Sequence, residues 1–193
     1  MFDSSRMTDE LAIALTRGHA GRDLAGGTGF VVVELRADDG RLKFRKGFRN
    51  LITDAGDLYQ AGKAIAGVAP ASPAAPTAMS GMKLGTGTTA AAKSGAGGAL
   101  VTYLTGSNLA FDATYPQTAN LGAGLGVTGV YKCTWGAGVA TNSAITEVVI
   151  VNDAGTNATS SAANTASRLV FTAVNKGASD TLAITWSWKF LGA

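Results

Sequence analysis

The stretch Gly85-Thr86-Gly87-Thr88-Thr89 is the first place in this 193-residue chain where residue types suggest chemistry. Glycine-rich loops cradle phosphates when their backbone N–H groups converge at a helix start and a Gly-Lys-Ser/Thr follows. Here no Gly-Lys-Ser/Thr follows at the needed spacing and no helical pattern begins. Small residues in a surface loop explain the stretch, so nucleotide binding is not expected. The carboxylates are few. Asp38 and Asp39 sit in a turn pattern, Asp54 and Asp57 at a helix start, and Asp112, Glu147, Asp153 and Asp180 on different strands or turns. Glycoside hydrolysis needs two carboxylates about 5–10 Å apart. Asp112 and Glu147 are the pair left open, and nothing in the pattern favours their meeting. No catalytic residue is expected.

One histidine, His19, and one cysteine, Cys133, cannot supply a four-ligand zinc site or an intramolecular disulfide. A Cys–His nucleophile pair would need His19, which lies in a Gly/Arg-rich stretch. Cys133 falls mid-strand beside Trp135 and reads as a buried reduced thiol. The alternative, an intersubunit disulfide, needs a partner Cα within about 7 Å. Neither a metal nor a cofactor is expected. Trp186 and Trp188 stand two residues apart on one strand face, which makes either a flat sugar-binding platform or half of a core. Leu182 and Ile184 continue that face and favour core.

The remaining chemistry is charge. Within Arg41–Asn50, Leu42, Phe44 and Phe48 alternate with Arg41, Lys43, Arg45 and Arg49. If one face packs inward, the other carries a row of cations. That row is either a solvated strand face or a contact for an acidic partner surface, most simply a protein. Charge elsewhere is sparse: only 15% of residues are charged and the formal net charge is +3, too small an excess to argue direct nucleic-acid binding. Residues 1–93 carry 12 Lys/Arg and 9 Asp/Glu, whereas 94–193 carry four of each. Long neutral polar surfaces of that kind suit burial against neighbouring subunits. No apolar run reaches the ~18–20 residues of a membrane span, and Met1–Asp23 lacks the apolar core of a signal peptide. A soluble protein made in a cytosol, with no membrane partner, is the expectation.

These residues must be positioned by strands. Residues 1–29 read as an N-terminal arm: Thr8-Asp9-Glu10 can cap a short helix through Leu11, Ile13 and Leu15, and five glycines between 18 and 29 then interrupt regular structure. Such an arm is either a tail or a segment that orders on a neighbouring subunit through Leu11, Leu15 and Leu24. Phe30–Arg36 and Arg41–Asn50 form a predicted hairpin about Asp39-Gly40. Thr53-Asp54 starts a helix, about 53–66, and a Pro/Ala-rich loop follows over 68–81. Further strands are predicted at Met82–Leu84, Leu109–Tyr115, Val127–Trp135, Ile145–Val151, Arg168–Val174 and Thr181–Leu191. Seven or eight strands with one helix predict an all-β fold over 30–193, a two-sheet β-sandwich or jelly-roll-like domain with an extended N-terminal arm.

In order along the chain, several pieces resemble small structural proteins of tailed bacteriophages. They are the hairpin Phe30–Arg45 with its Asp-Gly turn, Asn50-Leu51-Ile52-Thr53 before the helix, Leu84-Gly85-Thr86-Gly87-Thr88-Thr89-Ala90, and the closing Arg168–Phe171, Lys176–Leu182 and Ile184-Thr185-Trp186. The resemblance spans most of residues 30–190 and leaves the arm unmatched. It implies a non-enzymatic β-sandwich subunit of the virion, made in the host bacterial cytoplasm and partnered by phage structural proteins. The first expectation is a capsid-decorating or stabilising subunit, bound to the major capsid protein as a symmetric homo-oligomer such as a trimer. Its partner-binding residues would be Leu11, Leu15, Arg41, Lys43, Arg45 and Arg49. A neck, collar or minor tail adaptor is the alternative within the virion. From another class, a carbohydrate-binding module would use Trp186, Trp188 or Tyr115 on a host surface glycan.

Overall fold

A computed structural model describes residues 28–64, 76–122 and 126–190. The expected arm, with Leu11, Leu15, His19 and Leu24, therefore lies outside the described residues, as does 65–75 of the helix end and Pro/Ala-rich loop. Strand β1 (Thr28–Arg36) turns through Ala37–Gly40 into β2 (Leu42–Ile52). The turn closes because Asp39 Oδ1 accepts the Arg41 N–H at 2.8 Å while Gly40 takes φ +80°, a region that L side chains rarely adopt. Helix α1 (Asp54–Ala64) starts at Thr53, whose Oγ1 accepts the Gly56 N–H at 3.1 Å. Then follow β3 (Gly81–Gly85), β4 (Leu109–Ala110), β5 (Gln117–Asn120), β6 (Val127–Trp135), β7 (Asn142–Val151), β8 (Thr165–Lys176) and β9 (Thr181–Phe190).

Among the described residues the protein is mostly β, with nine strands and one short α-helix. The nine strands form one antiparallel sheet in the order β4-β3-β7-β8-β2-β1-β9-β6-β5, curled into a half-barrel. Where two sheets were expected, the sheet is continuous because β2 is long: it pairs with β1 from Leu42 to Asn50 and reaches β8 with its last two residues, Leu51↔Arg168 and Ile52↔Ser167. That short join divides the sheet into two limbs, β4-β3-β7-β8 and β2-β1-β9-β6-β5. Opposite the join, residues 107–112 tie the limbs together. The Asp112 N–H donates to the Lys132 carbonyl at 2.9 Å, and Trp135 Nε1 donates to the Ser107 carbonyl at 2.8 Å.

The core lies between the limbs. Alternation brings Val31, Val33 and Leu35 of β1, Trp135 of β6, and Leu182, Ile184, Trp186 and Trp188 of β9 onto one inner wall. Met82, Leu84, Ile145, Ile150, Leu169 and Phe171 form the other. A second apolar cluster, Leu100, Val149, Val151 and Ala154, sits on the outer side of β7. There the neutral Gly/Thr/Ala stretch after β3 is a packed roof: Thr86 N–H bonds to Thr102 O at 2.9 Å and Leu100 N–H to Ser160 O at 3.1 Å.

Three predicted details differ. Leu109–Tyr115 is strand only over Leu109–Ala110, because the chain leaves the sheet to cap β6 and turns at Thr114, φ 75°. Gln117–Asn120, outside the predicted strands, forms β5 by pairing with Val127–Val130. Leu42, expected inward with Phe44 and Phe48, is 46% exposed, because a bulge at Lys43 puts Leu42 opposite Arg36.

Candidate functional site

The four cations picked out of the hairpin lie together on β2 and its turn, with two more beside them, Arg36 and Lys46. From Leu42 to Asn50 one edge of β2 is bonded to β1, and among the described residues no strand pairs with the other edge. Unpaired edges invite other chains, and charged side chains are a common protection. The row is graded in its pairing. Lys43 Nζ donates to Asp180 Oδ2 at 2.6 Å, and the Gly177 N–H donates to the same oxygen at 2.7 Å. The Lys43 hydrogen bond first, then the Gly177 bond, holds the Asp180 carboxyl below the usual carboxylate range. Arg45 lies 3.3 Å from Glu34, which also accepts from Arg36 at 2.7 Å. Arg41 meets Asp39 only at 3.7 Å in an exposed pair of the kind that contributes little. Lys46 stands 5.3 Å over the Phe48 ring, and both Lys46 and Arg49 are exposed. Among the described residues, the hairpin thus carries Arg36, Arg41, Lys43, Arg45, Lys46 and Arg49 beside its own Glu34, Asp38 and Asp39, and Asp180 reaches Lys43 from the β8–β9 turn.

A second group of charges was missed from sequence. Arg168 and Glu147 are both fully buried. Arg168 donates to Glu147 Oε2 through Nη2 at 2.8 Å and through Nε at 3.1 Å, and its Nη1 donates to the Gly97 carbonyl at 3.1 Å. Glu147 also accepts backbone N–H bonds from Gly87 at 2.9 Å, Val101 at 3.2 Å and Thr102 at 2.7 Å. Lys83, equally buried, reaches Asp153 at 3.0 Å and the Ala158 carbonyl at 2.9 Å. These bonds clamp the roof to β7 and β8. The available signal was a charge inside an apolar strand run, as in Ile145–Val151, where a buried carboxylate requires a partner.

The other candidate chemistries disperse. Gly87 N–H, which a phosphate would need, is held by Glu147, and a Cβ at Gly87 would collide with that carboxylate. Asp112 caps β6, accepting from Thr134 N at 2.9 Å and Thr134 Oγ1 at 2.6 Å, so it does not join Glu147. Among the described residues no three His, Cys, Asp or Glu side chains cluster as metal ligands. Cys133 is buried with its thiol 3.3 Å from the Ala110 carbonyl; burial first, then Asp112, pushes it up to about 12. It is a core thiol with no exposed face for an intersubunit bridge. Trp186 and Trp188 are 0% exposed, which removes the sugar platform they were considered for. Tyr115 is half-buried beneath Lys132, 5.9 Å from its ring. No helix of the described residues is long and apolar enough to cross a membrane.

Comparison with known proteins finds no match to any family model, any curated protein or any solved structure.

Proposed function

We propose that the chain is a bacteriophage virion structural protein that works by adhesion rather than catalysis, most simply as a subunit decorating the head. The observation that carries this reading is the cationic β2 stretch, an exposed strand with one unpaired edge, in contrast to the Arg168, Glu147 and Lys83 charges, which are engaged internally. In this reading Arg41, Lys43, Arg45 and Arg49 meet an acidic surface of the major capsid protein, and Leu11 and Leu15 of the arm add apolar anchoring. The subunit binds as a symmetric homo-oligomer, burying area across capsomer boundaries and so opposing the outward pressure of packaged DNA. The two limbs then act as the two layers of a sandwich; their two-pair join and shared core support that description.

Counting this chain per purified particle against the major capsid protein tests the proposal. A simple fraction of the capsid subunit number is the expected result. A count of about a dozen or fewer would move the protein to a neck, collar or tail ring of low symmetry order. Absence from particles would overturn the virion reading.

A further inference from the structure

We infer that the groove at the α1 end of the half-barrel is the docking site of the chain's own N-terminal segment in the free subunit. The groove encloses about 590 Å³ between Tyr59, Gln60 and Lys63 of α1, Tyr131 of β6, and Trp188 and Phe190 of β9. Its walls are aromatic, with the Tyr131 and Trp188 rings 4.9 Å apart. The apolar surface continues over the rim: Phe190 is 40% exposed, and Val127, its cross-strand partner, is 42% exposed. Tyr131 and Trp188 themselves belong to the core, so the open apolar surface is that of Phe190, Val127 and the half-buried Tyr59; exposed apolar surface beside a groove marks a binding site.

Charge complementarity points to the chain's own N-terminal segment as occupant. Lys63 adds a cation at the helix end of the groove. The 27 residues before β1 offer the matching chemistry: Leu11 and Leu15 are four apart, and Asp9 and Glu10 precede them.

Where that segment joins the fold decides whose peptide it is. β1 begins at Thr28, whose cross-strand partner is Lys189, between Trp188 and Phe190 of the groove. The segment is therefore delivered at the rim. Leu24 is four residues from Thr28, and the 13 residues from Leu15 can span up to about 45 Å. A tether that short gives an effective concentration on the order of millimolar, which favours the chain's own segment over a second copy. The inference concerns the isolated subunit and does not depend on the virion reading.

Full-length protein carrying Leu15→Cys and Ala61→Cys, treated with a short bismaleimide, tests it. Ala61 is an exposed α1 residue lining the groove, and the native Cys133 is buried. The expected product is a monomer of one linker mass bridging the two new cysteines, absent from either single variant. A crosslinked dimer would show that a second copy fills the groove and would overturn the assignment, as would the absence of any bridge. In parallel, Leu11→Asp/Leu15→Asp should raise the fluorescence of an added apolar dye several-fold by uncovering the groove. Unchanged dye binding would equally count against the docking.

Discussion

In the β4-β3-β7-β8 limb, charged side chains lie inside the protein and are hydrogen-bonded there; in the β1–β2 hairpin most of them stand at the surface. Arg168 and Glu147 are 0% exposed and share five hydrogen bonds with each other and with the roof backbone above, besides one from Arg168 to Gly97. Arg41 and its Asp39 partner are 70% and 60% exposed, and Arg49, near the other end of β2, is exposed as well. The same residue types thus perform different work. In a low-dielectric interior a charge must be matched group for group, so it fixes a loop in one geometry. At a surface, water screens the pair, and the cation remains available to another molecule.

The contrast can be broken most severely at its buried end. Arg168→Ala or Glu147→Ala leaves the opposite charge buried and unpaired, and should cost about 3–5 kcal/mol, read as a lower midpoint in urea. The double change Arg168→Met/Glu147→Leu should recover part of that loss, since no lone charge is then left behind, although the roof N–H groups lose their acceptor. Lys83→Met removes the ammonium that holds Asp153 and Ala158. Its cost should be smaller, about 1–3 kcal/mol, because Asp153 keeps Ser160 and Asn164 as donors and remains 20% exposed.

Asp180 sits between the extremes, and pH sharpens the comparison there. Its folded carboxyl titrates below the ordinary value, so folding favours the ionised form. The Lys43 and Gly177 bonds therefore stabilise the protein fully above the unfolded carboxylate value near ~4 and lose that contribution as pH falls through the lower folded value. Thermal melts of Asp180→Asn should show a lower midpoint at neutral pH, with the difference from the parent shrinking as acid protonates Asp180. The smallest effect on stability belongs to Arg49→Glu, expected within about 0.5 kcal/mol of the parent by the same melts.

Much of this architecture was legible in the sequence. The hairpin about Asp39-Gly40, the start of α1 at Thr53, and strands β6, β7, β8 and β9 follow from turn residues and from alternation, since Leu182, Ile184, Trp186 and Trp188 recur at the two-residue period of one buried face. The single curled sheet did not follow, because whether two limbs are joined depends on how far β2 runs past Asn50 to meet Arg168, and periodicity carries no information on partners. β5 was hidden for the same reason: Gln117–Asn120 has no apolar face of its own and is strand only because Val127–Val130 lies beside it. The cations on β2 were legible as a row, but the bulge at Lys43, which exposes Leu42 and sends Lys43 to Asp180, is a tertiary feature. The Glu147–Arg168 pair joins residues 21 positions apart on neighbouring strands, which only the β7–β8 register reveals.

The account's central claim is that the open cations of the hairpin serve a partner rather than the fold. The direct test is binding of Arg41→Glu/Arg49→Glu to purified particles that lack the native protein, measured by co-sedimentation beside the parent chain. These two positions leave the Lys43–Asp180 and Arg45–Glu34 pairs in place. The account predicts a parent-like melting temperature with binding reduced at least about tenfold, the loss expected when about 1.4 kcal/mol of interfacial attraction is removed. Binding equal to the parent at the same salt concentration would contradict it.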